Sequence, residues 1–290
     1  MRWSERQRAM LQAMGLTLWA PPQTPADSAA AAATARTAGP VRAAVAPPAA
    51  QAGVDAVADR DARAREIAAL DWTALRERVA SCRACKLCEG RRHTVFGVGH
   101  PQAHWMIVGE APGEQEDRLG EPFVGPAGEL LDRMLQALGL TRGEAGPERQ
   151  VFIANTLKCR PPRNRNPEPE ELALCGAFLQ RQIELVNPKL ILAMGRFAVQ
   201  MLLASSEPIG RLRGRVHRYR ERPVVVTYHP AYLLRSPAEK ARSWADLCLA
   251  AAQLPNSQEL SPHARDALGP SSAAVSPAVG DTARGLSSSS

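Results

Sequence analysis

Cys82 and Cys85 form a C-x-x-C pair, and Cys159 and Cys175 follow far downstream in the contexts LKCRPPRNRNP and ELALCGAFL. Thiolates at that spacing reach one metal centre from a tight turn, and two more from elsewhere complete four-fold ligation. Between the pairs lie VGEAPGEQEDRLGEPFVGPAGELL and VFIANTLK. The first reads as a ligand-binding loop and the second as a buried strand. A metal centre built this way clamps a site rather than forming a small finger. In the loop, Gly109, Pro112 and Gly113 let backbone N–H groups approach a ligand, and Glu110, Glu114, Glu116 and Asp117 load it with carboxylates.

Apolar runs that alternate with helical patterns supply the scaffold for these groups. Residues 104–110 (HWMIVGE), 151–156 (VFIANT), 189–195 (KLILAMG) and 223–229 (PVVVTYH) read as strands. Helical patterns cover 127–138, 170–186, the stretch from the third strand through Leu203, and 238–252. This order predicts an α/β fold with a parallel sheet of four strands covered on both faces. Ligands of such sheets bind outside the carboxyl ends of the strands. Loop 109–117, Asn155 and His229 all fall there. Asn155 donates and accepts at once, which suits the edge of a nucleobase. Phe123 offers a stacking face. His229 precedes Pro230 in YHPAYLLR, where Tyr232, Leu233 and Leu234 make an apolar wedge suited to entering a base stack.

Composition bounds the rest. Residues 21–58 are rich in Ala and Pro with few large apolar side chains, so they read as a disordered linker. The tail 255–290, ending LSSSS, reads the same way. A core over 59–254 remains, long enough for a hydrophobic interior. The formal net charge of +7 favours an anionic partner, nucleic acid being the common case. Arg160, Arg163 and Arg165, and the stretch RLRGRVHRYRER over 211–222, are the candidates for phosphate contact, the latter reading equally as a solvated hairpin. No secretory segment follows Met1 and no run is long enough to span a bilayer, so a cytoplasmic monomer is expected. The chain's 6 cysteines then indicate metal or redox chemistry rather than disulfides.

The strings GEAPGEQED, PFVGPAG, IANTLKCRPPRNR and HPAYLLR, in this order between about Val79 and Ala250, resemble the iron–sulfur-containing family 4 uracil-DNA glycosylases. The resemblance implies an enzyme that excises uracil from DNA and leaves an abasic site, a four-stranded α/β/α sandwich and a [4Fe–4S] cluster. It implies Cys82, Cys85, Cys159 and Cys175 as cluster ligands. CRACKLC also offers Cys85 with Cys88, which is taken as spare, and Cys248 is taken as a core residue. The resemblance puts Phe123 on the face of a flipped uracil, Asn155 on its O4 and N3 edge, His229 at O2 and Leu233 in the gap left in the stack. Where the family 1 branch has a water-handling aspartate, this chain has Ala111. Glu110 is then the first candidate for that role and Glu116 the second, or a wall against the thymine methyl.

Other readings remain open on sequence. Cysteine spacing alone does not separate zinc from a cluster, so a zinc-stapled, non-catalytic nucleic-acid-binding module is the rival. A related branch that traps its product covalently carries an insertion after the second strand, and KCRPPRNRNP shows none. At the N-terminus, SERQRAMLQAMG reads as a short amphipathic helix over residues 1–20, with Ser4 and Gln7 as a capping box and Gly15 as the stop. That segment resembles the N-terminal stretch of the psi subunit of bacterial clamp loaders, which implies a clamp-loader component as a protein partner.

Overall fold

The inner strands of this chain are apolar on both faces, and the centre of the sheet they form is buried on both. The computed structural model describes residues 49–254, with side chains from Ala58 onward. The strands are β1 (Val98–Gly99), β2 (Trp105–Gly109), β3 (Phe152–Asn155), β4 (Leu190–Met194), β5 (Val216–Tyr219) and β6 (Arg222–Thr227). They form one sheet in the order β1-β3-β2-β4-β6-β5. The inner strands β3, β2, β4 and β6 are parallel, and β1 and β5 pair antiparallel at the two edges. Alternation along each inner strand separates two cores. Met106, Val108, Ile191 and Val224 face one layer with Phe178 and Ile183. Trp105, Ile107, Leu192 and Val225 face the other with Leu131 and Leu247.

The helices are α1 (Ala49–Ala68), α2 (Trp72–Ala80), α3 (Leu87–Gly90), α4 (Glu114–Leu119), α5 (Pro126–Ala137), α6 (Pro169–Val186), α7 (Arg196–Leu203), α8 (Ile209–Leu212), α9 (Pro230–Arg235) and α10 (Lys240–Ala251). The parallel core and its flanking helices are the expected α/β/α arrangement. The sheet exceeds the expected four strands by its two edges. β1 is only two residues long, and its glycines show no period-2 pattern. Gly99 has φ +122, and a Cβ there would lie 1.8 Å from the Val151 carbonyl oxygen. β5 pairs antiparallel with β6, so the stretch 211–222 carries the arm of a hairpin, one of the two readings the sequence offered for it. Helix α1 begins at Ala49, ahead of the expected boundary at 59, because alanine is its most frequent residue and the run of prolines has ended at Pro48. The expectations for residues 1–20 and 255–290 lie outside the described residues.

The parallel register decides where the chemistry sits. Gly109 pairs with Asn155, and Met194 pairs with Thr227. The loops leaving these positions therefore open at one edge of the sheet.

The hairpin β5–β6 is clasped to α10 by Asp246. This carboxylate is fully buried and accepts from Arg213 Nε at 3.0 Å, Thr227 Oγ1 at 2.9 Å and Gly214 N at 3.1 Å. Removing one partner of a buried pair leaves the other uncompensated. Asp246→Ala should therefore lower unfolding free energy by about 3–5 kcal/mol, read from urea denaturation midpoints.

Candidate active site

A cleft of about 760 Å³ opens at the carboxyl ends of the parallel strands. Glu110, Ala111, Glu116, Phe123, Asn155 and His229 all line it. Its floor is Gly109. A Cβ at that position would lie 2.4 Å from Asn155 Oδ1 and 2.6 Å from Phe123 Cζ. No other residue leaves room for both side chains to approach the end of β2. Asn155 is 2 % exposed, and its Oδ1 is buried without a hydrogen-bond donor among the described residues. An orphan acceptor costs free energy unless a ligand supplies the donor.

Phe123 holds a left-handed backbone conformation at φ 55. Two features support it. At Gly128, in the first turn of α5, a Cβ would fall 1.7 Å from the Phe123 carbonyl oxygen, so only glycine lets the helix come this close. Glu116 ties the same loop from the other side. Its Oε2 accepts from Gly113 N at 3.0 Å, and its Oε1 accepts from Val124 N at 3.0 Å and Gly125 N at 3.3 Å. Both oxygens are engaged with backbone, so Glu116 acts as a brace between the two loops and not as a free acid or base. Of the two carboxylates expected as candidates for handling water, Glu116 is thus the one whose oxygens are held by backbone donors.

His229 is the N-cap of α9. Its Nδ1 accepts from Ala231 N at 3.2 Å, which leaves Nε2 as the protonated nitrogen of the neutral ring. The ring stacks on Phe123 with centroids 5.3 Å apart. Burial, reinforced by the Arg235 charge, pushes its pKa down to about 4, with Glu116 opposing. His229 is thus a neutral N–H donor at neutral pH. Glu110 behaves oppositely. Burial raises its carboxyl above the usual range, and Arg196 offsets part of that shift.

Two expected features are placed differently. Leu233 is 1 % exposed, so it is a core residue of α9 and not a wedge, whereas Leu234 at 44 % and Tyr232 at 38 % project outward. The helical turn from Pro230 rotates the phase by about 100° per residue, and position 233 falls on the inner face. The basic loop is also largely committed. Arg160 pairs with Glu114 at 3.1 Å, and Arg165 pairs with Glu171 at 2.6 Å. Arg163 is exposed and makes no ion pair among the described residues. In the hairpin, Arg213, Arg220 and Arg222 bond to Asp246, Glu184 and Asn187. Sequence reading missed Arg196 and Arg235, which line the cleft. Arg196 was findable, because it follows the end of β4 as His229 follows the end of β6.

The cysteines gather at a second, small cavity. Cys82, Cys85, Cys159 and Cys175 line it together, and so does Cys88, which was expected to be spare. Cys248 is buried elsewhere in α10. The sulfurs receive N–H donors: Arg63 Nη2 to Cys82 Sγ at 3.4 Å, Arg91 Nη1 to Cys159 Sγ at 3.2 Å and Lys158 N to Cys175 Sγ at 3.3 Å. Burial pushes the Cys175 thiol up to about 12 and raises Cys159 as well. Thiols in such surroundings become thiolates only when a cation group compensates them. Among the described residues, no three Cys, His, Asp or Glu side chains close on a single ion-sized point. The residues present that could hold a metal group are the five cysteines lining this cavity.

The state of His229 is directly measurable. Ring nitrogen NMR should show Nδ1 bare and Nε2 protonated, without titration between pH 8 and 5, since the pKa is about 4. A titration midpoint near the ordinary 6.5 would contradict this placement.

Residues 96–252 match the Uracil DNA glycosylase superfamily. The chain is 44% identical over 172 residues to a Type-4 uracil-DNA glycosylase of Sulfurisphaera tokodaii, covering 56% of this chain and 76% of that protein. It is 43% identical over 167 residues to the Type-4 uracil-DNA glycosylase of Archaeoglobus fulgidus, covering 55% and 81%. It is 42% identical over 168 residues to that of Thermotoga maritima, covering 57% and 84%. With the matching cleft and cysteine cavity in place, the chain belongs to the uracil-DNA glycosylase superfamily and, within it, to the type-4 family.

Proposed function

We propose that the protein is a monofunctional uracil-DNA glycosylase, which flips uracil from DNA and hydrolyses its N-glycosidic bond to leave an abasic site. The observation that carries this reading is the orphan amide oxygen of Asn155, set beside Phe123 over Gly109. Uracil presents an N3–H donor next to the O4 acceptor. An amide held with its oxygen toward N3 matches that edge and opposes cytosine, which has an acceptor at N3. Extrusion costs a few kcal/mol of unstacking and unpairing. Leu234 and Tyr232, the exposed apolar residues of α9, are placed to fill the gap in the stack in place of Leu233. Arg196 and Arg235, which line the cleft, and the exposed Arg163 are placed to meet phosphates.

Bond cleavage sends negative charge onto uracil O2. The neutral His229 ring donates Nε2–H to it, stabilising charge where it develops without surrendering a proton first. The sugar becomes oxocarbenium-like. Glu110, ionised and half-buried, stabilises that cation and orients water toward C1′. Glu116 holds the wall of the pocket against the thymine methyl.

The cysteine cavity fits a [4Fe–4S] cluster. Cys82, Cys85, Cys159 and Cys175 line one cavity and supply the four thiolates that such a cluster takes, one per iron. A single zinc needs every sulfur at about 2.3 Å. When bound, the cluster supplies a staple between the start of the domain and the 159–175 loop, and no redox step is assigned to it. We further propose a cytosolic monomer, with residues 1–20 docking on a clamp-loader component. Among the described residues no helix is long and apolar enough to cross a membrane.

Three outcomes are expected. A single-uracil oligonucleotide should break at uracil after alkali, with the thymine control intact; an intact uracil strand from folded protein would refute the reading. Metal analysis should find iron and not zinc, with visible absorbance lost on cluster removal. In a pH series, kcat/KM should fall on the acid side beginning above the ordinary carboxylate pKa. The raised group is Glu110, and its ionised form is what disappears as pH falls. Glu110→Gln should abolish that limb and lower kcat by about a hundredfold or more. An unchanged limb in Glu110→Gln would assign it to another group.

A further inference from the structure

Lys158 is the one group of this region for which the reaction above has no use. It lies between the two cavities described. Its side chain is 1 % exposed, yet it carries an ammonium. Its Nζ donates to the Asn155 carbonyl oxygen at 2.8 Å and to Gln182 Oε1 at 2.6 Å. Gln182, fully buried, is fixed in turn by its Nε2 donating to the Phe96 carbonyl at 2.8 Å. No carboxylate pairs with Lys158 among the described residues. The residue lines the cysteine cavity together with Cys159 and Cys175, and its backbone N–H donates to Cys175 Sγ at 3.3 Å. A buried ammonium with only neutral oxygens for partners is costly unless negative charge stands nearby. Thiolates bound in the neighbouring cavity are that charge.

We propose that Lys158 is a positioning residue that couples the cysteine centre to uracil reading: its ammonium is the counter-charge of the thiolates and also holds the main chain of Asn155. The inference rests on the uracil-excising reading of the cleft. The sequence places both tasks within one turn of chain. β3 ends at Asn155, and Cys159 follows Lys158 directly. The backbone N–H of Lys158 donates to Cys175 Sγ while its side chain turns back to the strand end. Loss of the thiolate charge therefore weakens the anchor of the residue whose amide reads the base. Loss of the anchor leaves the Asn155 carbonyl buried without its donor. Potentials of cysteine-bound clusters respond to net charge and to hydrogen bonds at the sulfurs, so the counter-charge has its own signature.

The test uses the full chain with its metal centre and two variants, Lys158→Met and Gln182→Met. Binding is measured to a duplex carrying one 2′-fluorinated deoxyuridine, which resists cleavage, and to the matched thymine duplex. The reduction potential of the centre is measured by voltammetry. In Lys158→Met, affinity for the uracil analogue should fall about tenfold, the loss of one charged hydrogen bond, while thymine-duplex affinity stays at the wild-type value. The potential should also fall, because a positive charge that stabilised the reduced centre is gone. A shift in only one of the two readouts overturns the coupling, as does no shift in either. Gln182→Met keeps the charge but removes one anchor of the ammonium. It should lose uracil affinity at an unchanged potential, and wild-type affinity there would overturn the proposal even if Lys158→Met does not fold. A wild-type protein that binds both duplexes alike would instead refute the uracil reading of the cleft, which separates that failure from this one.

Discussion

The absence of a side chain at Gly109 is the constraint on which the cleft depends. β2 and β3 run parallel in a register that sets Gly109 beside Asn155. Any Cβ at the end of β2 would enter the space of the Asn155 amide and the Phe123 ring together. The rest of the site consists of devices that keep those two side chains there. Gly128 lets α5 press against the Phe123 backbone, and Glu116 binds the loops on either side of it. Phe123 pays for its left-handed backbone, and strain of order 1–3 kcal/mol persists only where the surroundings over-determine it.

The electrostatics follow from the same burial. Burial of the two side chains in the cleft wall disfavours charge, so it lowers His229 and raises Glu110. Two titratable groups are thereby pushed apart into complementary roles, a neutral donor and a carboxylate whose ionised form is less solvated than in water. Arg196 keeps Glu110 from rising further, and it stays in place by lying over the Phe197 ring at 4.5 Å. The tautomer of His229 needs no carboxylate partner of the kind found in catalytic triads. The first turn of α9 supplies the donor to Nδ1 from its own backbone.

Much of this was legible in the sequence because it depends on period and position. The inner strands are continuous apolar runs, with Asn155 as the last residue of β3 and His229 two residues past the end of β6. The pairing of Cys82 and Cys85 with Cys159 and Cys175 was visible from spacing, and so was the crevice at the carboxyl ends. What escaped depends on quantities a sequence does not carry. The two-residue strand β1 is set by glycine dihedrals and has no pattern of its own. Whether Cys88 enters the cavity depends on the turn between it and Cys85. Glu116 and Glu110 are the same residue type in one loop, and only the three backbone donors around Glu116 separate a brace from a carboxylate that is free to react.

The basic character of the chain shows why composition is a blunt guide to the DNA-binding surface. Arg165 is gripped by Glu171, which is only 5% exposed, and Arg213 by a fully buried Asp246. Arginines held in this way serve the fold, since their charge is already neutralised at short range and their planar forks are occupied. The cations that remain to act on an anion are those the fold leaves unpaired around the cleft. The same logic applied to apolar residues separates Leu233, buried on the inner face of α9, from Leu234, which is exposed. A motif fixes the order of residues along α9, but the helix phase fixes which of them meets solvent. The burial of each side chain on α9 therefore carries information that the order of residues along it does not.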